Sequence, residues 1–578
     1  TSQKQTQQAN EFPRTLSASG LFASVKDSMP AAGVVPYIIN AQMWSDHAVA
    51  DRWVAVPGQQ TLKNRDDWSM WSFPKDSVLV KTLSLEMHRG DSHSLKPIET
   101  QILHFDGVNW LPYTYQWNAD HSDATLVDAT GLDTTFEILD DQVPGGKRQQ
   151  AWRFAGRSEC QRCHNKWSGP ALAFGTNHFT NTAVQAAQSI DQLGEFVRIG
   201  LIETRPNVTV PTSLVDTSNS SADIENRARS YLHVNCAHCH RMHAGGSVLS
   251  FMHADLDLTK ANLIDTRPSQ GTFGIHDARV IASRDPFRSV LLYRMAKLGS
   301  GRMPHIGSFE VDIDGVELIS DWIERLPEAE SVGETSAKTV AGQHANEVSA
   351  LSLLKDASQT DESPHHIDTL LASPSGTLRL VRSLQRRELS APIQAMAIER
   401  AKAQQDVGIR DLFEQFLPTD QRVRRLGALV QPIHILSLVG DVQRGEKLFH
   451  TTAGVTCINC HRIRQSGKEI GPELTTIGKK LTRAQLLESI LEPSKTIDPN
   501  FLTWLVETDD GRVITGILVE KTQQQVSLRD AQGEIRNIDT ISIEQLLPQQ
   551  QSMMPELLAQ DMTAQQLADL LEYLGSLK

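Results

Sequence analysis

No stretch of this chain approaches 18 consecutive apolar residues, so no segment reads as a membrane-crossing helix. Positive charge is not in excess either. Lys and Arg number 56 against 69 Asp and Glu, a formal charge of −13. A nucleic-acid binder needs a basic face, and this balance argues against nucleic acid. No charged and apolar leader precedes Thr1, which implies a signal peptide already removed or a piece of a longer chain. Cysteine is scarce, with six in 578 residues. None of the six is spare for a structural disulfide or a lone thiol, because all fall in one repeated motif. With 39% apolar residues the chain can still bury ordinary cores. Its length allows three or four domains.

The motif is Cys-x-x-Cys-His. It occurs as Cys160-Gln-Arg-Cys163-His164, Cys236-Ala-His-Cys239-His240 and Cys457-Ile-Asn-Cys460-His461. At this Cys and His content about 0.002 such pentapeptides are expected by chance. Two thiols three positions apart can each add across one vinyl group of a haem, and the next His then lies under the iron. A redox dithiol needs no following His. A zinc site would pair two knuckles and leave one of three unmatched. The expected cofactors are therefore three covalently bound haem c groups, each with its iron. Covalent attachment of this kind takes place outside the bacterial cytoplasm, so a periplasmic or cell-surface location is expected.

Each haem calls for a sixth ligand, and a thioether raises the potential. Met303 precedes Pro304 and Met554 precedes Pro555. Proline fixes the backbone and leaves the sulfur free to point inward. His305 is the neighbouring alternative to Met303. Around the third motif, Gly445 and Phe449 share one helical face, and glycine lets another helix approach. "GPEL" then places the Pro472 carbonyl to accept from the second nitrogen of His461. A last helix starts at Thr563 with Leu567, Leu571 and Leu574 in a stripe. The same first-helix, motif, Met-loop, last-helix plan recurs from Ala228 and Leu232 to Val316, Ile319, Ile323 and Leu326. That plan is a class I cytochrome c. His461 and Met554 stand 93 residues apart, long for the plan, and the excess alternates like strands.

The expected fold is multidomain α+β. Residues 1–155 form an antiparallel β domain, and 156–221 a first haem-binding segment. A cytochrome module follows at 222–330, then a helical spacer at 331–435 with exposed linkers near 328–345 and 361. With 156–221 as the first haem module and 222–330 as the second, a third, again of cytochrome type, spans 436–578 and carries a β-meander inserted at 500–546.

Residues 436–578, through "GDVQRGEKLF", "GPELTTIGKKLTRAQLLESILEPSKTI" and "MMPELLAQDMTAQQLADLLEYLGSL", closely resemble the haem-binding domain widespread in Planctomycetes. The stretch from "FPRTLSASGLF" to "DWIERL", including "WSDHAVADRWVAVP", "WRFAGRSECQRCHNKWSG", "ARSYLHVNCAHCH" and "GRMPHIGS", resembles a family of multihaem c-type cytochromes of unassigned role. In some relatives that module follows a quinoprotein sugar dehydrogenase on one polypeptide. The resemblance thus implies redox-protein partners, such a dehydrogenase among them.

The expected function is an electron relay. The rival is a haem enzyme, a peroxidase or an oxygen activator, working at the first haem. That haem has no Met on its carboxy-terminal side before Met242. His178, 14 residues after His164, is the chosen sixth ligand. A 14-residue gap gives ample reach at about 3.3 Å per residue. Met43, Met70, Lys81, Met87 and His104 of the β domain are the alternatives, and an open site is the remaining one. A balance of eight cations against four acids from Gly440 to Arg483 suggests docking of an acidic partner through Lys447, Lys468, Lys479 and Lys480.

Overall fold

The computed structural model describes residues 12–64, 71–141, 143, 145–165, 168–179, 183–185, 188–203, 213–241, 250–269, 271–328, 334–356, 362–427, 430–451, 457–509, 513–530, 533–549, 552–554 and 558–578. The chain is mixed, 35% helix and 21% strand, and antiparallel sheets stand at its amino-terminal end, as expected of an α+β protein.

Six strands build the first sheet: β1 (Val34–Pro36), β2 (Val49–Ala55), β3 (Val78–Glu86), β4 (Leu95–Phe105), β5 (Trp110–Trp117) and β6 (Ala124–Leu126). Each pairs antiparallel with the next, so the spatial order follows the sequence. Side chains alternate across a strand. Trp53, Val80, Ile102 and Tyr115 face one way and close a core with Leu16 and Phe22. Val54 and Leu79 face the other way, against Phe174, Phe179 and Phe196. Both faces of the sheet are thus covered.

A hairpin of β7 (Leu132–Leu139) and β8 (Lys147–Phe154) leads into α1 (Arg157–Cys163). The Glu159 carboxylate accepts from the Gly156 amide at 2.7 Å and from Arg153, tying the helix start to the strand it leaves. The first motif therefore hangs directly from the β domain.

The second module is framed by α2 (Ile224–Cys236) and α3 (Ile313–Arg325). Asp223 caps α2 through Asn226 N at 3.1 Å, and Asp312 caps α3 through Gly315 N at 2.9 Å. The helices meet at Gly315, where an added Cβ would strike the Tyr231 ring.

The segment expected as a spacer contains α4 (Glu334–Asp356), α5 (Ser363–Leu371), α6 (Pro374–Gln385), α7 (Ala391–Lys402) and α8 (Val407–Phe413). Their apolar residues belong to the same core as Leu232, Ile319 and Trp322. Residues 334–345, expected as exposed linker, lie in α4. Lys297 and Asp411, paired at 3.2 Å and almost fully buried, bridge the module to α8.

In the third module α9 (Val442–Thr451) crosses α11 (Ala564–Ser576), with α10 (Arg483–Leu491) beside them. Leu567, Leu571 and Leu574 are buried on the expected stripe. The insert is a five-stranded sheet of β9 (Thr503–Thr508), β10 (Val513–Lys521), β11 (Gln525–Arg529), β12 (Ile535–Asp539) and β13 (Ile543–Pro548). Four strands form the meander. The fifth returns to pair with β9, so the sheet runs to Pro548, two residues past the expected limit.

Candidate functional site

The three motifs fold into one local geometry. In each, the amide of the motif His donates to the carbonyl of the first Cys: His164 to Cys160 at 2.9 Å, His240 to Cys236 at 2.8 Å, and His461 to Cys457 at 2.9 Å. Each imidazole is then pinned through Nδ1. His164 Nδ1 lies 2.6 Å from the Pro170 carbonyl, and His461 Nδ1 lies 2.8 Å from that of Pro472, the bond expected from "GPEL". His240 Nδ1 lies 3.2 Å from the Ser250 carbonyl and 3.0 Å from its hydroxyl. A proton on Nδ1 used in this way leaves the Nε2 lone pair free for a metal. Burial pushes the His164 and His240 rings down to about 4, and lowers His461 as well, so all three stay neutral near pH 7.

Burial raises the Cys160, Cys236 and Cys457 thiols to about 12. None of these is a resting thiolate, as a reactive or zinc-binding cysteine would be. The second cysteines of the first two motifs behave differently. Cys163, Cys239 and His238 offer ligand atoms all within 4.8 Å of one another. The closeness of the two sulfurs raises the Cys163 thiol and lowers that of Cys239. Two motifs 76 residues apart in the chain thus meet at their sulfurs.

A cavity of about 480 Å³ lies between the first sheet, the first motif and α2, within the size range of ligand sites. Cys160 and His164 line it, and so does His178. His178 sits on a short turn, Thr176–His178, at 3% exposure. Its Nδ1 has no hydrogen-bond partner among the described residues, and burial lowers its pKa to about 3. His178 is thus a buried, neutral imidazole with an unpartnered Nδ1 facing the same cavity as His164, not a solvent-facing loop residue. Of the alternatives, Lys81 and Met43 also line the cavity. His104 pairs with Asp76 at 3.2 Å, and Met87 packs beside Leu83 and Trp152. Met70 and Met242 lie outside the described residues.

Met303 lies on the loop before α3, and its amide donates to the Arg294 carbonyl at 3.0 Å. It lines a small void with Tyr231 and Asn235 of α2 and Val316 of α3. His305 turns toward the third module, where its Nδ1 is 3.8 Å from Asp561 and its carbonyl accepts from Gln560. Met554 and Cys457 pack against one core. Met553 packs in another cluster with Ile470 and Cys460, so it is a neighbour that the sequence reading passed over. Pro555 lies outside the described residues. Of the eight cations between Gly440 and Arg483, Arg444, Arg462 and Arg483 pair with acids.

The sequence reading also missed His233, one turn before Cys236 on α2. It lines the first cavity and clusters with His253 and Asp255. Neither a protein-family model nor a curated protein matches the chain.

Proposed function

We propose that the chain is a three-haem c-type cytochrome that relays electrons outside the cytoplasm. The observation that carries this reading is the shared geometry of the motifs: three Cys-x-x-Cys turns, each followed by an imidazole pinned at Nδ1 and free at Nε2. Cys160 with Cys163, Cys236 with Cys239, and Cys457 with Cys460 would hold the groups. His164, His240 and His461 would ligate from one side, and His178, Met303 and Met554 from the other. Haem iron, when bound, supplies one-electron exchange, with thioether ligation favouring the higher potential.

The chain's own residues set the rest. Pro170, Ser250 and Pro472 orient the rings. The contact of Cys163 with Cys239 draws the first two sites together, and the His305–Asp561 contact joins the Met loop of the second module to the third. A relay needs neighbouring centres, and both contacts favour it. The resemblance to cytochromes fused to quinoprotein sugar dehydrogenases makes such a dehydrogenase the proposed donor.

A haem enzyme acting on peroxide or oxygen at the first site is the second reading, favoured by the volume of the cavity beside His164. Intact mass of the protein from a haem-attaching host, with a pyridine haemochrome assay and zinc analysis, tests the main reading. Three haem masses and no zinc are expected. Fewer than three haems, or one zinc per chain at Cys163, His238 and Cys239, would overturn it.

A further inference from the structure

Across the first sheet, Arg52 of β2 stands directly opposite Lys81 of β3, and Lys81 opposite Gln101 of β4. All three line the first cavity. Like charges directly opposite on neighbouring strands repel. Here they do so away from water. Arg52 is 6% exposed, and its Nε has no hydrogen-bond partner among the described residues. Its Nη1 donates to the Ala50 carbonyl at 3.2 Å. Burial and the neighbouring Arg52 push the Lys81 ammonium down to about 8.

Glu99 acts on Lys81 and Asp51 on Arg52 through space, but among the described residues no carboxylate forms a close ion pair with either cation. Glu99 accepts from Gln101 and Trp152, each at 2.8 Å, and burial raises it to about 7. Asp255, the one acid lining the cavity among the described residues, lies 3.7 Å from His253. A buried cation without a counter-ion is costly, and two facing one cavity are more so. An arginine fork and an ammonium side by side match the two oxygens of a carboxylate.

We propose that Arg52 and Lys81 form a carboxylate-binding pair in the wall of the first cavity. The carboxylate comes either from a propionate of the haem attached at Cys160 and Cys163, which rests on the function proposed above, or from a free organic acid.

The test begins by weighing the holoprotein, so that failure of haem attachment is seen separately. Two variants are then compared with it: Arg52→Gln, and Lys81→Glu, which provides Arg52 with an internal counter-ion. If a propionate is the occupant, Arg52→Gln lowers the lowest of the three midpoint potentials, because an unanswered carboxylate favours the oxidised iron. Added acetate or succinate then has no effect on the parent. If a free acid is the occupant, succinate raises the melting temperature of the parent saturably while chloride does not. Lys81→Glu then melts higher without ligand and binds succinate at least about tenfold more weakly, a loss of about 1.4 kcal/mol. Should haem attachment fail at the first site, the succinate arm is read on the protein as it is. Unchanged potentials together with no response to succinate, or a response equal to that of chloride, overturn the proposal.

Discussion

Gly471 shows how tightly single positions are set around the motif histidines. A Cβ there would lie 2.6 Å from Cε1 and 2.9 Å from Nδ1 of His461. The ring cannot yield without leaving the Pro472 carbonyl. Gly471→Ala should therefore displace His461, cost roughly 1–3 kcal/mol as an overpacked contact, and shift the potential of one centre while leaving two unchanged. Redox titration followed in the visible band reads this, and three unchanged midpoints would count against the role given to His461. At this scale the sequence was informative where partners are near in the chain. Pro472 is 11 residues from His461, and "GPEL" announced the bond. It was silent where partners are distant. Arg52, Lys81 and His233 come from three separate elements, and no local pattern records that they share a cavity. The burial of His178 was hidden for the same reason: its surroundings, not its spacing from His164, decide it.

Among the elements, the two helix crossings answer to glycine. An added Cβ at Gly445 would meet the Asp569 carbonyl and, at 2.7 Å, the Tyr573 Cβ, so backbone lies against backbone where α9 crosses α11. At Gly315 the obstacle is the ring of Tyr231, a buried residue. Alanine at either position should lower stability by roughly 1–3 kcal/mol, with Gly445→Ala the larger because a carbonyl cannot rotate away. Thermal melts of the two variants check the order. The first crossing was readable, since Gly445 and Phe449 stood on one face. The helix α6 was not. Its "PSGTLRLVRSLQ" carries two arginines and two serines that mask the periodicity, yet Leu378, Leu380, Val381 and Leu384 are buried. Arg382 stays paired with Glu317, Asp321 and Glu324 of α3, so these charges bind one helix to the other.

Taken as a whole, the molecule is stitched across its presumed boundaries. Asp46, between the first strands, is 3% exposed and accepts from the amides of Phe309 at 2.8 Å and Glu310 at 3.0 Å, close to the Met303 loop. Burial raises its carboxyl from the ordinary 3.8 to about 7. The folded chain thus holds a proton that the unfolded chain has released. The stability this brings is full below pH 3.8 and is lost as pH rises through about 7. Asp46→Asn should flatten that slope by up to about 1.4 kcal/mol per pH unit within this window, measured by denaturant unfolding at a series of pH values. An unchanged slope would show that Asp46 is ionised in the folded state. The domain limits read from the sequence mark where motifs begin, whereas the single core shared by α2 to α8 arises from tertiary packing that no linear pattern states. The meeting of Cys163 and Cys239 has a consequence for the order of maturation. Two thiols in contact in an oxidising compartment can join to each other, and once joined neither can receive a vinyl group. On the function proposed above, haem ligation at these two motifs precedes their closure, or a reductant keeps them open. A chain exported without the ligation machinery should trap a Cys163–Cys239 crosslink, seen by peptide mapping under non-reducing conditions, while Cys457 and Cys460 remain outside it.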